Sequence, residues 1–414
     1  MEDHLQKKYQ IGTEDNNRFL EENALSLLAF GKRFPSPGGS SYYLGDDGTP
    51  WTDRPRETWI TARMAHVYSL GTLLGVPGSE ELADAAMKGL KGELHDTKNG
   101  GWYPGVRADG SILPGKQCYA HAFVILAASS LVLAEREGAQ ALLEEALSTY
   151  DKYFWSEEDG LAVDTWNTEF TELDPYRGLN ANMHSVEAFL AVADVTGDEK
   201  YRERAGRIID QVLEWARNND YRIPEHFSSD WVPDLNCNED KPDDPFKPFG
   251  ATPGHGLEWA RLITQWAVSA TSEEEQERYV KDACKLFDRA VSDAWNADGG
   301  RGICYTTDWE GKPVVHDRMH WTLAEAINTA ATLYYVTELH TYAQWYESFL
   351  RYLDECVMDH EHGSWFHQMD KDGKVLTTVW PGKSDIYHAL QAMLIPRYEV
   401  GLSIAPAVKK ECDD

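Results

Sequence analysis

Three of the 14 histidines sit in distinctive local settings: His184 in Asn180-Ala-Asn-Met-His, His255 in Thr252-Pro-Gly-His, and His388 in Ser384-Asp-Ile-Tyr-His. With an ordinary pKa of about 6.5, imidazole can take and return a proton near neutrality. Two of the three carry a glutamate one helical turn on, as His184/Glu187 and His255/Glu258, a spacing that places both side chains on one helix face. Such pairs can hold a metal. The zincin pattern His-Glu-x-x-His and any Cys-x-x-Cys are absent, however, so no metal is expected. A single histidine at a helix start is more often a cap or a satisfied core residue. Recurrence is therefore what matters.

The elements around these residues supply it. Apolar residues recur at helical spacing, as in Tyr279, Ala283, Leu286, Phe287, Ala290 and Ala294. The pattern predicts twelve helices: 15–30, 56–75, 79–93, 117–136, 139–155, 180–197, 200–218, 253–271, 275–295, 319–339, 342–357 and 384–399. Short Gly/aromatic segments follow successive helix pairs, including Asn99-Gly-Gly-Trp102, Gly299-Gly-Arg-Gly302 and Glu361-His-Gly-Ser-Trp365. Asp-Gly or Glu-Gly turns such as Asp109-Gly110 and Glu310-Gly311 continue several of them. Gly101 to Gly160 spans 59 residues and Gly302 to Gly363 spans 61. A repeat near 60 residues means one helical hairpin plus one short β-hairpin. One helix of each pair is apolar nearly all round, as in 120–134, and the other is amphipathic, as in 200–218. The first kind is buried and the second faces water. The expected fold is all-α: an (α/α)6 barrel of six helical hairpins, with β-hairpins at the mouth and residues 1–414 forming one domain.

In such a ring the six inner helices start at the same mouth. Each carries polar groups near its start: Trp59 and Arg63, Tyr119 and His121, Asn180 and His184, His255 and Glu258, Trp321 and Glu325, Asp385 and His388. All are expected to converge on one pocket. The partial positive charge of a helix N-terminus disfavours imidazolium, leaving histidines there able to accept a proton. Such a pocket suits proton transfer between C1 and C2 of a sugar through an enediol. One base suffices for aldose–ketose isomerisation, and inversion at C2 needs groups on both faces. His255 and His388 are candidates for the pair, Arg63 for a developing oxyanion, and Glu258 for orienting His255 or binding a hydroxyl. Two of the carboxylates Glu258, Glu325 and Asp385 could instead flank a glycosidic bond in a hydrolase. A non-catalytic interaction protein is a third reading.

Composition narrows the field. A net charge of −30 argues against nucleic acid. No apolar run approaches the roughly 18–20 residues of a membrane span. The N-terminus lacks the apolar stretch of a secretory signal. Six scattered cysteines read as reduced thiols and a cytoplasmic location. Aromatic residues make up 12%, and flat rings suit sugar C–H faces. No P-loop, Gly-x-Gly-x-x-Gly or Gly-x-Ser-x-Gly is present. The Pro- and charge-rich stretch Asp240–Pro248 reads as a loop over the mouth. His360, His362 and His367 read as surface or supporting residues, and Glu273–Glu275 as an exposed helix start. Homo-oligomer formation is left open.

In Trp59-Ile-Thr-Ala-Arg63-Met, Asn180-Ala-Asn-Met-His184-Ser-Val-Glu-Ala-Phe, Thr252-Pro-Gly-His255, Glu258-Trp259 and Asp385-Ile-Tyr-His388 the chain resembles the N-acylglucosamine 2-epimerase superfamily. It looks most like the branch with mannose and sulfoquinovose isomerases. The resemblance spans roughly 15–410. It implies an (α/α)6 barrel acting on an open-chain monosaccharide with no metal or redox cofactor. It further implies His255 and His388 as the acid/base pair, with His184 assisting ring opening or positioning. Arg63, Tyr119, Asn180, Glu258, Trp321 and Trp380 would shape the sugar site. Enzymes for the sulfonated sugar share an arginine-containing stretch before the Gly-Thr-Pro-Gly-His segment and a glutamine after Gly-Ser-Trp. Here the corresponding stretches read Asp244-Pro-Phe-Lys-Pro248 and Gly363-Ser-Trp-Phe-His367, with Lys247 and His367 as the nearest substitutes. The resemblance therefore implies an uncharged hexose, mannose to fructose, ahead of the sulfosugar or a 2-epimerase reaction, with lyxose to xylulose as a side activity.

Overall fold

A computed structural model describes residues 7–270 and 272–413. Among the described residues thirteen α-helices are formed: α1 (Glu14–Gly31), α2 (Thr58–Leu73), α3 (Ser79–Lys91), α4 (Cys118–Leu133), α5 (Ala139–Tyr153), α6 (Leu179–Thr196), α7 (Glu199–Arg217), α8 (Pro253–Ala267), α9 (Glu273–Ala294), α10 (His320–Thr337), α11 (His340–Tyr352), α12 (Ile386–Leu394) and α13 (Ile404–Asp413). The even-numbered helices from α2 to α12 pack side by side into a closed ring, α12 returning to α2. Each odd-numbered helix from α3 to α11 packs outside the inner helix before it, and α1 covers α12, so the two ends of the chain close the sixth hairpin. This is the expected (α/α)6 barrel. None of the described helices is long and apolar enough to cross a membrane.

Burial follows the sequence pattern. Along α4 nearly every side chain is buried. On α9 the six residues predicted to share a face, Tyr279 to Ala294, are all buried, and Ser272 caps an acidic first turn. Two elements end differently from expectation. Helix α12 stops at Leu394 and passes into a 3-10 turn at Ile395–Arg397, because Pro396 brings no N–H to the helix ladder. Helix α11 loosens into a π-helical turn at Leu353–Val357. The sequence pattern also missed α13, which packs across α2, α4 and α6 at the end away from the mouth. Lys409 donates there to the Leu133 carbonyl, and Ser403 to Asp194.

The mouth strands are not all hairpins. Those at 43–44/50–51, 155–156/161–162 and 306–307/313–315 are. The segments leading directly into four inner helices pair instead with other units: Arg56–Glu57 with Gly105–Val106, Lys116–Gln117 with Thr165–Trp166, Arg177–Gly178 with His226–Phe227, and Arg318–Met319 with Gln368–Met369. Those four inner helix starts are therefore tied sideways to the next unit.

Three buried ion pairs lock the Gly/aromatic segments to these helix starts. Lys116, two residues before α4, donates to Asp96 at 2.8 Å and to the carbonyls of Gly100 and Thr168. Arg318 reaches Asp298 at 2.7 Å just before α10, and Lys383 reaches Asp359 and the Gly363 carbonyl just before α12. Each aspartate also accepts backbone N–H groups of its own turn, an Asx arrangement. Gly101 belongs to the first such turn, at φ +70°, where a Cβ would stand 2.7 Å from His121 Nε2.

Lys116 and Asp96 are both fully buried. Replacing Lys116 with Met should strand the carboxylate and cost about 3–5 kcal/mol, read from urea unfolding. A loss below about 1 kcal/mol, the size of a surface pair, would show that the pair does not hold the unit. The Asp359 carboxyl, held at about 2 chiefly by Lys383 against the penalty of burial, lies below its unfolded value of about 3.9. Its contribution is complete above the unfolded value and is lost as pH falls toward the folded one.

Candidate active site

The starts of the inner helices enclose a cavity of about 580 Å³. Trp59, Arg63, Tyr119, Asn180, His184, His255, Glu258, Trp321, Trp380 and His388 all line it, as expected from sequence. Pro245, Phe246 and Pro248 of the Asp240–Pro248 loop cover one side. Phe246 sets its ring edge-on to Trp59 and Trp380, making an aromatic rim.

Three imidazoles share one arrangement. Nδ1 of His255 lies 2.9 Å from Glu225, Nδ1 of His388 lies 3.1 Å from Glu325, and Nδ1 of His184 lies 3.2 Å from Glu187. An ionised carboxylate only accepts, so each Nδ1 carries a hydrogen and Nε2 is the nitrogen left free of that contact. The Trp321 indole stands beside two of them, 5.0 Å from His255 and 5.8 Å from His388. Burial pushes His184 down to about 4, so it is neutral near pH 7.

Beneath them Arg261 of α8 is buried among carboxylates. Its Nε donates to Glu325 at 2.8 Å, and Nη2 stands 3.5 Å from Glu258 and 4.0 Å from Glu187. Burial alone would raise Glu187 and Glu325. Hydrogen bonds from His184 and Tyr387, and Arg261 with His388, hold the two carboxyls below the ordinary range instead. Glu258 is pushed well above it by burial and by the charges of Glu325 and Glu187. His184, Glu187 and Glu258 are the one group of described residues with ligand-like mutual spacing. The Arg261 guanidinium already places a cation against them.

A second hub lies at the start of α12. Asp385 caps the helix and accepts from Arg63 at 3.3 Å. Arg63 also donates to Tyr119 at 2.9 Å, and its guanidinium packs over Trp59, Phe123 and Tyr387. His320 stacks on His367 at 3.7 Å, with its Nε2 3.3 Å from Asp385. His367 accepts the Asp385 N–H on Nε2, and its Nδ1 lies 3.1 Å from the Trp365 carbonyl. Arg63 is the one arginine or lysine among the described lining residues; its Nη groups are engaged by Asp385 and Tyr119, and its buried Nε has no partner.

A family model described as N-acylglucosamine 2-epimerase (GlcNAc 2-epimerase) matches residues 38–392. The chain belongs to the N-acylglucosamine 2-epimerase family. Two curated relatives are similar over nearly their whole lengths. D-mannose isomerase of Pseudomonas cannabina pv. alisalensis is 40% identical over 95% of both chains. D-mannose isomerase of Thermobifida fusca is 39% identical over 94% of this chain and 96% of its own. A crystal structure of a D-mannose isomerase superposes with a TM-score of 0.86 at 26% identity, covering 92% of this chain and 97% of that one.

Within this family member, two sequence expectations are corrected. Glu325 does not line the cavity. It is fully buried behind His388, hydrogen-bonded to the His388 Nδ1 and to Arg261. His121 lies elsewhere: Nδ1 donates to the Gln117 carbonyl and Nε2 accepts the Trp102 N–H, fixing a turn. Burial holds it at about 3. His367 proves to be a buried lining residue, whereas His360 and His362 are exposed. Of the carboxylates named for the hydrolase reading, Glu325 is hidden, and Asp385 lines the cavity beside Glu258 but is engaged by Arg63. Sequence reasoning missed Glu225, Arg261, His320, Tyr305 and Tyr387. Arg261 had left a signal, a charge three residues from Glu258 on a helix that must be buried. Glu225 had none.

Long-range proton–nitrogen spectra near neutral pH should show His184, His255 and His388 in the Nδ1–H form. Replacing Glu225 with Ala should release His255 alone toward a mixture of tautomers. A wild-type His255 with its proton on Nε2 would overturn the assignment.

Proposed function

We propose that this protein is an aldose–ketose isomerase that interconverts D-mannose and D-fructose through an enediol, with D-lyxose and D-xylulose as a second pair. The observation that carries this reading is the presence of His255 and His388 on the lining of one cavity, each with Nδ1 committed to a glutamate so that Nε2 is the nitrogen left for proton transfer. The D-mannose isomerases similar to it along nearly their full lengths support the same reaction.

In this reading His255 and His388 form the acid–base pair. One imidazole removes the C2 proton and returns it to C1, and two kinds of electrostatic help make that step possible. Arg63, fixed by Asp385 and Tyr119, steadies the developing negative charge on oxygen. Glu225 and Glu325 stabilise the imidazolium that forms. His184 assists ring opening or holds the sugar. Trp59, Tyr119, Asn180, Trp321 and Trp380 bind it, with indole faces against C–H groups and the unpartnered Asn180 Oδ1 and Trp380 Nε1 toward hydroxyls.

The absence of an uncommitted cation favours an uncharged hexose over a sulfonated one, which needs charge-assisted donors. Of the two candidate substitutes, Lys247 lies 3.7 Å over the Tyr176 ring and His367 is engaged on both nitrogens. The chain is proposed to act as one catalytic domain, without metal or redox cofactor. The free state of its five described cysteines supports a reducing, cytoplasmic setting.

EDTA-treated protein incubated with D-mannose should yield D-fructose, and turnover in deuterium oxide should place label at C1. His255→Asn and His388→Asn should each lower kcat by about 10²-fold or more. Glucose as the main product would move the reading to a 2-epimerase, and failure to turn over any aldose would end it.

A further inference from the structure

Isomerisation moves two protons. One travels from C2 to C1, and a second must reach O1 as the enediol forms and leave O2 as it collapses. We infer that Glu258 is held as a neutral carboxylic acid facing the sugar and is the carrier of this oxygen-to-oxygen proton. The inference rests on the isomerase reading and adds a catalytic residue to it.

The donor inventory around Arg261 singles Glu258 out. Glu187 accepts from His184, Tyr387 and, at 3.4 Å, Gln391. Glu325 accepts from Arg261, His388 and, at 3.5 Å, Asn328. Those bonds suit anions. Glu258 lines the cavity, and its buried Oε1 has no hydrogen-bond partner, with Arg261 Nη2 3.5 Å and His184 Nδ1 3.9 Å away. The groups facing it are Glu187 and His184 of α6, Glu325 of α10, Arg261 of its own helix, Arg63 of α2, Tyr119 of α4 and Tyr387 of α12. Arg63 is matched by Asp385. Arg261 therefore faces two ionised carboxylates with one charge, and a third anion would be uncompensated in a buried site. Binding a proton removes that cost. The direction of the Glu258 titration agrees.

The step balances. As an imidazole takes the proton from C2, the C2–H electron pair forms C1=C2 and the C1=O1 pair takes the Glu258 proton, giving enediol and carboxylate. The imidazolium then protonates C1, the O2–H pair becomes C2=O2, and Glu258 recovers the proton from O2. Enzyme and protonation states return to the start.

Infrared difference spectra of wild type against Glu258→Gln, on metal-free protein near neutral pH, should show a protonated-carboxyl C=O stretch lost in the variant. Glu258→Gln keeps the shape and a neutral donor but cannot release a proton. Its turnover of D-mannose should fall by about 10²–10⁴-fold, while its affinity for D-mannitol, an open-chain alditol without a carbonyl, stays near that of wild type. An active wild type without the band, or a variant turning over at the wild-type rate, overturns the inference. Loss of mannitol binding together with turnover also overturns it, in favour of a structural role. A wild type that shows the band but isomerises no aldose overturns the isomerase reading instead.

Discussion

At the centre of the ring a single guanidinium, Arg261, faces Glu187, Glu258 and Glu325 from three different inner helices. All four side chains are almost wholly removed from water. Charges so placed are stable only while each finds its partners, so this cluster constrains the relative positions of α6, α8 and α10. Two of its carboxylates each stand behind a histidine, Glu187 behind His184 and Glu325 behind His388. The interaction that satisfies the core therefore also fixes which nitrogen of each imidazole carries hydrogen. Stability and base orientation rest on the same atoms.

The barrel makes that economy available. Six helices beginning at one mouth bring residues as far apart in sequence as Trp59 and His388 to one cavity, yet a helix start is where a helix is least constrained. The buried pairs Lys116–Asp96, Arg318–Asp298 and Lys383–Asp359, with the strands that link neighbouring units, supply the missing constraint. Glu225 illustrates the effect. It lies outside any helix, but its own carbonyl and the adjacent His226–Phe227 strand bind the segment entering α6, and from there its carboxylate reaches His255 on α8.

Periodicity made the helices legible because a buried face and a wet face leave different residues behind. It failed at Pro396, which ended α12 early, and at α13, a short helix whose buried face is marked by only Ile404, Ala405 and Val408. The rule that polar residues at inner helix starts converge on one pocket worked for His184, His255 and His388. It failed for His121, which sits two residues after Tyr119 and so points away from the axis, into the turn containing Gly101. It also placed Glu325 one layer too high. On α10, Trp321 reaches the cavity and the residue one turn deeper supports it from below. Partners supplied by irregular segments, such as Glu225, leave no periodic trace.

Charge and shape in the cavity bear on the choice of sugar. The rim of Trp59, Phe246 and Trp380 presents flat apolar surface, and the deeper wall presents imidazole, amide and indole groups. Arg63, the one described cation on the lining, stands between Asp385 and the Tyr119 hydroxyl, so its charge is spent within the protein. A phosphate or sulfonate entering such a site would lose its hydration without gaining a matching donor, at a cost of several kcal/mol. An uncharged open-chain hexose would instead exchange water for hydroxyl partners and ring faces. A transient negative charge at O1 or O2 differs from a permanent one. In the proposed reaction it would arise beside Arg63 after binding, when the proton removed from carbon has already made a nearby imidazole cationic. The site can stabilise charge that it would not admit.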